Sequence, residues 1–493
     1  MPYDCPVVRY GEAAGRWVLF ATVLGTGIAF IDATVVNIAL PHIGDDLHAD
    51  AASLQWTING YTLSLAALIL LGGSLGDRFG RRRTFLVGVV WFAGASLLCG
   101  LAPDIETLIA ARILQGIGGA LLTPGALAII QASFVPEDRS RAIGAWSGLG
   151  GIAGAVGPFL GGWLVQAASW RLVFLINVPL AVLVVAVAGR HVPESRDTQM
   201  PPKLDVAGVL LCALGLAGLT YGFTAWSARG PGDPVVYGTL LIGVACLAGF
   251  VLQERRSTHP MLPLSIFRSR AFTADNLVTF AVYAALGGVM FLLVLQLQVV
   301  SGFEPLIAGL ALLPITVIML LLSARMGALA ERIGPRIPMT AGPLIIAVAL
   351  LWLSRIGPHA SYLRDVLPPV ILQGLGLAVT VAPLTATALG SVEDRHAGIA
   401  SGVNNAVARA ASLLAVAVLP LAAGLGTGRL TDPAALAPTF RNAMLISAGL
   451  LVVGAVIAVI GIPGKIAKHE PSPVRSHCAI SGPPLHPERA GSR

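Results

Sequence analysis

Gly73-Ser-Leu-Gly-Asp77-Arg78-Phe-Gly80-Arg-Arg82 returns 254 residues later as Gly327-Ala-Leu-Ala-Glu331-Arg332-Ile-Gly334-Pro-Arg336. Two shorter stretches repeat in the same order. Ile113-Leu-Gln115-Gly116-Ile-Gly118 recurs as Ile371-Leu-Gln373-Gly374-Leu-Gly376 at an offset of 258, and Glu137-Asp138-Arg139 as Glu393-Asp394-Arg395 at 256. Each match is short, but three near-equal offsets in one order mark an internal duplication.

The flanks say what is duplicated. Fourteen apolar segments run from Trp17 to Pro463, at about 17–40, 55–75, 84–102, 105–129, 140–166, 172–189, 206–226, 235–252, 272–300, 306–325, 338–355, 364–389, 397–423 and 441–463. Stretches of about twenty apolar residues cross a hydrocarbon core as helices. Of the 493 residues 55% are hydrophobic and 12% charged, with a mean hydropathy of +0.80. A soluble domain carries about 25% charged residues, so this composition excludes a soluble enzyme or a free nucleic-acid binder. The repeats equate segments 2 with 10, 4 with 12 and 5 with 13. The expected fold is an all-α membrane protein of two parallel six-helix bundles, segments 1–6 and 9–14, with segments 7 and 8 inserted between them. Such halves enclose a site near the bilayer midplane and work by rocking. The expected divisions are a tail 1–16, a first bundle 17–190, a linker and inserted pair 191–253, a linker and second bundle 254–463, and a tail 464–493.

The net charge of +7 reads as topology. With both termini in the cytoplasm, 24 of the 32 Lys and Arg residues fall on the inner side and 6 on the outer, leaving Arg112 and Arg409 within spans. That excess is the positive-inside bias. Acidic partners such as nucleic acid are not implied. The five cysteines (Cys5, Cys99, Cys212, Cys246, Cys478) are odd in number and widely spaced, and support neither a disulfide framework nor a zinc site. The first segment is too long for a signal peptide's apolar core and reads as a retained helix. The tails before about Arg16 and after Lys465 read as disordered.

Two charges lie deep. Asp32 is about eight residues before the outer end of segment 1, and Arg112 about seven after the outer end of segment 4, so both sit roughly 10–12 Å below the surface. Equal depth permits a pair or a shared water cavity. Intramembrane charges are costly and mark function. The position matching Arg112 in the second half is Val370, and segment 9 has no acid in its middle. Asp32 reads as a protonation site and Arg112 as the cation that tunes it, with a static buried ion pair as the alternative. In the segment 2–3 turn, Gly73, Asp77, Arg78, Gly80, Arg81 and Arg82 crowd a short connection and read as a topology anchor. Segment 5 carries Gly154, Gly157, Pro158, Gly161 and Gly162, suited to close helix contact and bending. Asn37, Asn59, Tyr61, Gln115, Gln296, Gln298, Asn404 and Asn405 are polar groups within spans, candidates for substrate contacts or interhelical hydrogen bonds. The segment 13 counterpart of the glycine stretch holds Arg409 instead, which either faces a cavity or reaches for the interface.

Gly72-Gly73-Ser74-Leu75-Gly76 matches the hydrolase nucleophile pattern, but it ends an apolar helix with no strand before it. The sole Gly-Lys pair, Gly464-Lys465, lacks the upstream glycine of a phosphate-binding loop, so an ion gradient rather than ATP is the expected energy source.

The chain resembles the major facilitator superfamily, and within it the fourteen-helix drug:proton antiporters. The stretch Gly73 to Arg82 is similar to that superfamily's loop 2–3 motif, and Leu108-x-x-x-Arg112-x-x-Gln115-Gly116-x-Gly118 to its segment 4 motif. Gly154-Ala-Val-Gly157-Pro158-Phe-Leu-Gly161-Gly162 resembles the antiporter signature of segment 5. Ile31-Asp32-Ala-Thr34-Val-Val-Asn37-Ile-Ala39-Leu-Pro41 and Trp170-Arg171-x-x-Phe174-x-Ile176-Asn177-x-Pro179 fit the fourteen-helix group. The resemblance implies proton-coupled efflux of small amphipathic drugs or antibiotics by a monomeric carrier in a bacterial cell membrane, without cofactor or metal. It assigns the loop 2–3 motif to a latch that clasps a neighbouring helix end in the outward state. Import of a small solute on the same scaffold, or a non-transporting receptor, are the rival readings. Arg-rich usage with three lysines (Lys203, Lys465, Lys468) suggests a high-GC genome, a setting that fits an exporter of a self-made antibiotic.

Overall fold

The structure is a computed structural model that describes residues 8–196, 205–230, 232–257, 262–392, 397–425, 430 and 432–464. Within the first repeat, α1 (Ala13–Asp46), α2 (Ala51–Phe79), α3 (Arg81–Gly100), α4 (Ile105–Ser133) and α5 (Pro136–Ala167) are followed by α6, made of Leu172–Leu175 and Asn177–His191 with a break at Ile176. The inserted pair is α7 (Val206–Arg229) and α8 (Pro234–Arg256). In the second repeat, α9 (Arg270–Leu295) runs into a π-helical turn, Gln296–Val300. Next come α10 (Pro305–Leu310 and Leu313–Ile333), α11 (Arg336–Leu353), α12 (Leu367–Gly390, preceded by the π turn Tyr362–Val366), α13 (Ala397–Ala422) and α14 (Pro433–Gly461).

Twelve of these helices are long and apolar enough to cross a membrane, and thirteen if α2, bent by 50° between Ile69 and Leu71, counts as one span. The helix that remains, α5, has 32 residues and packs along α1. Large aliphatic residues such as Leu241, Val182 and Ile460 are exposed on the outside of the bundle, an apolar exterior suited to lipid rather than water.

Aspartates start many of these helices. The side chains of Asp50, Asp104, Asp205, Asp233 and Asp432 accept hydrogen bonds from Ser53, Thr107, Gly208, Val235 and Ala434 N–H groups at 2.7–3.0 Å, which satisfies donors that a helix start leaves without partners. The two repeats pack alike. Contacts of α1 with α5 and α6, of α4 with α2 and α3, and of α3 with α6 recur as α9 with α13 and α14, α12 with α10 and α11, and α11 with α14. The pair α7 and α8 pack on each other, and α7 lies against both α2 and α13.

The bundle has a proximal end, near the first and last described residues, and a distal end near Asp46, Ala167 and Pro305. One apolar core fills the second half and joins the first through distal residues such as Val35, Ile43, Leu54 and Leu164. A separate core, including Val18, Phe85, Phe134 and Val192, fills the proximal part of the first half. Residues 8–16 are ordered, contrary to the expected tail. Val8 N–H donates to Ser133 O (2.8 Å), Val135 N–H to Val8 O (3.2 Å) and Tyr10 N–H to Asp138 Oδ2 (2.9 Å), while the Arg141 guanidinium lies 4.1 Å over the Tyr10 ring. The α4–α5 turn thus supplies partners for a backbone that would otherwise stay solvated. The expected tail after Gly464 and the repeat triplet Glu393–Arg395 lie outside the described residues.

Candidate functional site

Five helices meet around Asp32. The Arg112 guanidinium Nη1 donates to Asp32 Oδ2 at 2.6 Å, and Asp32 Oδ1 accepts from Gln115 Nε2 (2.8 Å) and Asn177 Nδ2 (3.1 Å). Neither charged side chain is more than 1% exposed. Arg112 Nε donates to Thr57 O at 2.9 Å, and Gln115 Nε2 also donates to Ser96 Oγ at 2.7 Å. The Arg112 Cζ lies 4.4 Å from the centre of the Tyr61 ring and 5.7 Å from that of Phe174. Taking two charges out of water costs several kcal/mol per ion (about that scale), and close geometry plus further hydrogen bonds are what offset it. Both carboxylate oxygens have donors here, and the aromatic faces receive the rest of the guanidinium.

The sequence foresaw equal depth for Asp32 and Arg112, and the structure brings them into contact. It also adds Asn177, Ser96 and Thr57. Asn177 opens the second piece of α6 after the break at Ile176, and that break aims its amide at Asp32. The signal was present in the Trp170–Pro179 stretch, where Asn177 had no assigned role. Trp170 Nε1 and Arg171 of that stretch hold Asp46 at the distal end, at 2.9 and 2.6 Å.

The loop between α2 and α3 is held within its own half. Arg81 Nε donates to Asp77 Oδ1 at 2.7 Å. Glu194, beyond α6, accepts from the Arg82 and Arg83 N–H groups at 3.0 and 3.1 Å, capping α3, while Arg82 Nη1 donates to Val192 O at 3.0 Å. Gly80 makes this possible. Its φ of +111° is a left-handed conformation, and a Cβ there would stand 2.7 Å from the Glu194 carboxylate. Its repeat partner Gly334 has φ +89° and faces the Gly464 carbonyl with equally little room. The Arg78 guanidinium stacks 5.4 Å from the Phe79 ring, and a Cβ on Gly73 would meet Pro124 at an ordinary 3.6 Å.

The glycines of α5 face two ways. Gly157 and Gly161 lie on α1 at Ile31, Thr34 and Val35, and the Gly154 carbonyl accepts from Thr34 Oγ1 at 3.4 Å. Gly162 faces the second half, where an added Cβ would stand 2.6 Å from Leu306 Cα. Gly309 of α10 packs reciprocally on the Pro158 carbonyl. Hydrogen bonds from Gln166 Nε2 to Glu304 Oε2 (2.9 Å) and from Gln298 Nε2 to Ile38 O (3.0 Å) join the halves at the same distal end.

The other polar candidates scatter. Asn37 donates to Ala33 O of its own helix, and Gln296 donates to Ile356 O within the second half. Asn59 is wholly buried with neither amide atom hydrogen-bonded, and Asn405 is exposed. Asn404 Nδ2 donates to Thr279 Oγ1 (2.7 Å) and Asp275 Oδ2 (3.3 Å). Asp275 is a buried acid that the sequence reading did not single out. It stands one turn into α9, close enough to the helix start to suggest solvation, yet α13 covers it completely. The second half has no counterpart to the Asp32 cluster: Val370 fills the Arg112 position, and Gln373, matching Gln115, is buried with both amide atoms unbonded in a narrow apolar cleft beside Val282, Val289, Ile346 and Leu377.

Comparison with known proteins agrees with this architecture. Residues 22–416 match the Major Facilitator Superfamily. The tetracenomycin C resistance and export protein of Streptomyces glaucescens is 37% identical over 402 residues, which cover 81% of this chain and 74% of that protein. The puromycin resistance protein of Streptomyces alboniger is 36% identical over 481 residues, covering 94% and 95%. Among solved structures, a bacterial homologue of the human lysosomal transporter Spinster in an inward-facing, unoccupied conformation superposes with a TM-score of 0.66 at 19% identity, covering 92% of this chain and 97% of that one. A peptide-bound POT family transporter superposes with a TM-score of 0.69 at 14% identity, covering 92% and 98%. The chain belongs to the Major Facilitator Superfamily, and is a multi-pass transporter rather than an enzyme.

Proposed function

We propose that this chain exports small amphipathic drugs or antibiotics across a bacterial cell membrane in exchange for protons, by alternating access between two six-helix bundles. The observation that carries this is the Asp32–Arg112 pair, buried with donors for both carboxylate oxygens in one half, with Val370 at the Arg112 position of the other. A scaffold repeated twice does not need a charge in one copy only. The resistance and export proteins to which the chain is similar support efflux as the direction. In this reading the chain crosses the membrane fourteen times, α5 included, with both termini in the cytoplasm, as the excess of basic residues on that side favours.

The cycle turns on Asp32. While ionised, its carboxylate holds Arg112, Gln115 and Asn177, and so ties α1 to α4 and α6. A proton on Asp32 removes the charge-assisted bond and frees the helices to shift. The distal contacts of α5 with α10, together with Asp77 bound to Arg81 of its own loop, fit a state closed outside, with the latch disengaged. Engaging Asp77 with the opposite half would accompany outward opening.

The test uses a susceptible bacterial host and proteoliposomes. Cells expressing the wild-type chain should survive at least one amphipathic antibiotic and accumulate less of it, and an acid-outside gradient should drive that compound across reconstituted membranes. Asp32→Asn, inserted at normal levels, should lower gradient-driven flux by about 100-fold, equivalent to about 2.7 kcal/mol. Flux indifferent to the pH gradient, or raised cellular accumulation, would overturn the reading.

A further inference from the structure

Arg409 lies within α13, a helix long and apolar enough to cross a membrane, and the Asp32 network does not use it. Its Nε is buried without a hydrogen-bond partner, and no ion pair among the described residues includes it. Arg409 as a whole is half-buried, and a half-buried guanidinium inside a span, with no ion pair among the described residues, is suited to a partner that comes and goes. Arg409 lies where α13 meets α2 of the first half and α9 of its own, within electrostatic range of Tyr61 on α2 and Tyr283 on α9. Tyr61 in turn touches Arg112 and lies within electrostatic range of Arg409, at the junction of the two bundles.

The duplication supplies a control. At the 256-residue offset, Arg409 and Tyr283 correspond to Ala153 and Gly27. Those two small residues pack together, the Ala153 Cβ standing 3.3 Å from the place a Cβ on Gly27 would occupy. The second half has a cation and a phenol where the scaffold accepts two of the smallest side chains. Close by, Gly287 lies against the Ser412 backbone, and Ser412 Oγ donates to Tyr283 O at 3.0 Å, so the two helices are in register around the pair.

We propose that Arg409, with Tyr283, recognises an anionic group, a carboxylate or an ionised phenol, on an aromatic body that this protein carries. The guanidinium matches a carboxylate with two parallel hydrogen bonds, and the half-buried Tyr283 ring supplies a face on which an aromatic body stacks. This inference rests on the export reading and narrows its substrate class.

The full-length chain in nanodiscs and proteoliposomes provides the test, with three matched fluorescent probes: 9-anthracenecarboxylate, its methyl ester and 9-(aminomethyl)anthracene. The wild type should bind the carboxylate at least about ten-fold more tightly than the ester. Arg409→Gln should bring that ratio to about one, and Arg409→Lys should restore part of it. Size-exclusion chromatography of both variants identifies misfolding, and the lysine variant keeps the test valid if the glutamine variant fails to fold. An unchanged ratio in Arg409→Gln, no carboxylate binding by the wild type, or preference for the amine would overturn the anion site. Proton-driven flux of probes without charge preference would remove the anion site and leave the export reading standing. Carboxylate selectivity without gradient-driven flux of any probe would do the reverse.

Discussion

The two halves share one set of helix contacts and differ in what they bury. The first half encloses an ion pair with donors for both carboxylate oxygens, spread over α1, α2, α3, α4 and α6. The second half keeps the amide of the matching glutamine, Gln373, but surrounds it with aliphatic side chains and gives it no hydrogen-bond partner. Its own polar residues lie elsewhere: Asp275 with Asn404 and Thr279 near the proximal end, and Arg409 at the junction with α2. Duplication explains the frame, and divergence has placed a buried ion pair in the first copy and a separate carboxylate and arginine in the second.

That contrast can be broken most severely at the ion pair. Arg112→Met strands a buried carboxylate, and the thermal midpoint in detergent should fall steeply, reflecting about 3–5 kcal/mol. Val370→Met overfills a buried site without removing a charge partner and should cost less, about 1–3 kcal/mol. Equal losses at both positions would show that the halves do not differ in kind. Next comes the distal seal, which both halves build together. Gly162→Val places a side chain against the backbone of Pro305 and Leu306 and should hold the distal end open, raising maleimide labelling of a cysteine introduced at Gln166 by roughly ten-fold, a shift of about 1.4 kcal/mol. Labelling unchanged from wild type would place the seal elsewhere. The smallest effect belongs to the paired glutamines. Gln373→Leu removes amide atoms that have no partners and should leave stability within about 1 kcal/mol of wild type or raise it, whereas Gln115→Leu should cost about 1–3 kcal/mol because Asp32 and Ser96 lose their donor. Melting curves of the two variants side by side decide the matter.

Much of this frame was legible in the chain because membrane helices leave a strong apolar signature and the duplicated stretches carry their own register. Depth alone allowed Asp32 and Arg112 to pair or to share a water cavity, and did not choose between them. Their partners were not legible, since Asn177, Ser96 and Thr57 come from other helices and only packing decides which polar group meets which. Helix ends were less certain. The last apolar segment begins at about 441, but α14 starts at Pro433, where Asp432 caps the helix and proline suits its first turn. Asp275 escaped notice because a carboxylate one turn into a helix ordinarily reaches water, and only the placement of α13 closes that route. The ordering of residues 8–16 depends on a turn more than a hundred residues away, a relation that local composition cannot carry.

The meeting of Gly162 with the Pro305–Leu306 backbone, and of Gly309 with the Pro158 carbonyl, has a thermodynamic consequence. Hydrophobic attraction grows with apolar area withdrawn from solvent, about 25 cal/mol per Å², and glycine brings no side chain to withdraw. A seam of main chain against main chain shuts tightly yet parts with little work. In the proposed exchange each pH unit of gradient supplies about 1.4 kcal/mol per proton, so a carrier closed in this way could be turned over by the modest driving force that a living membrane sustains.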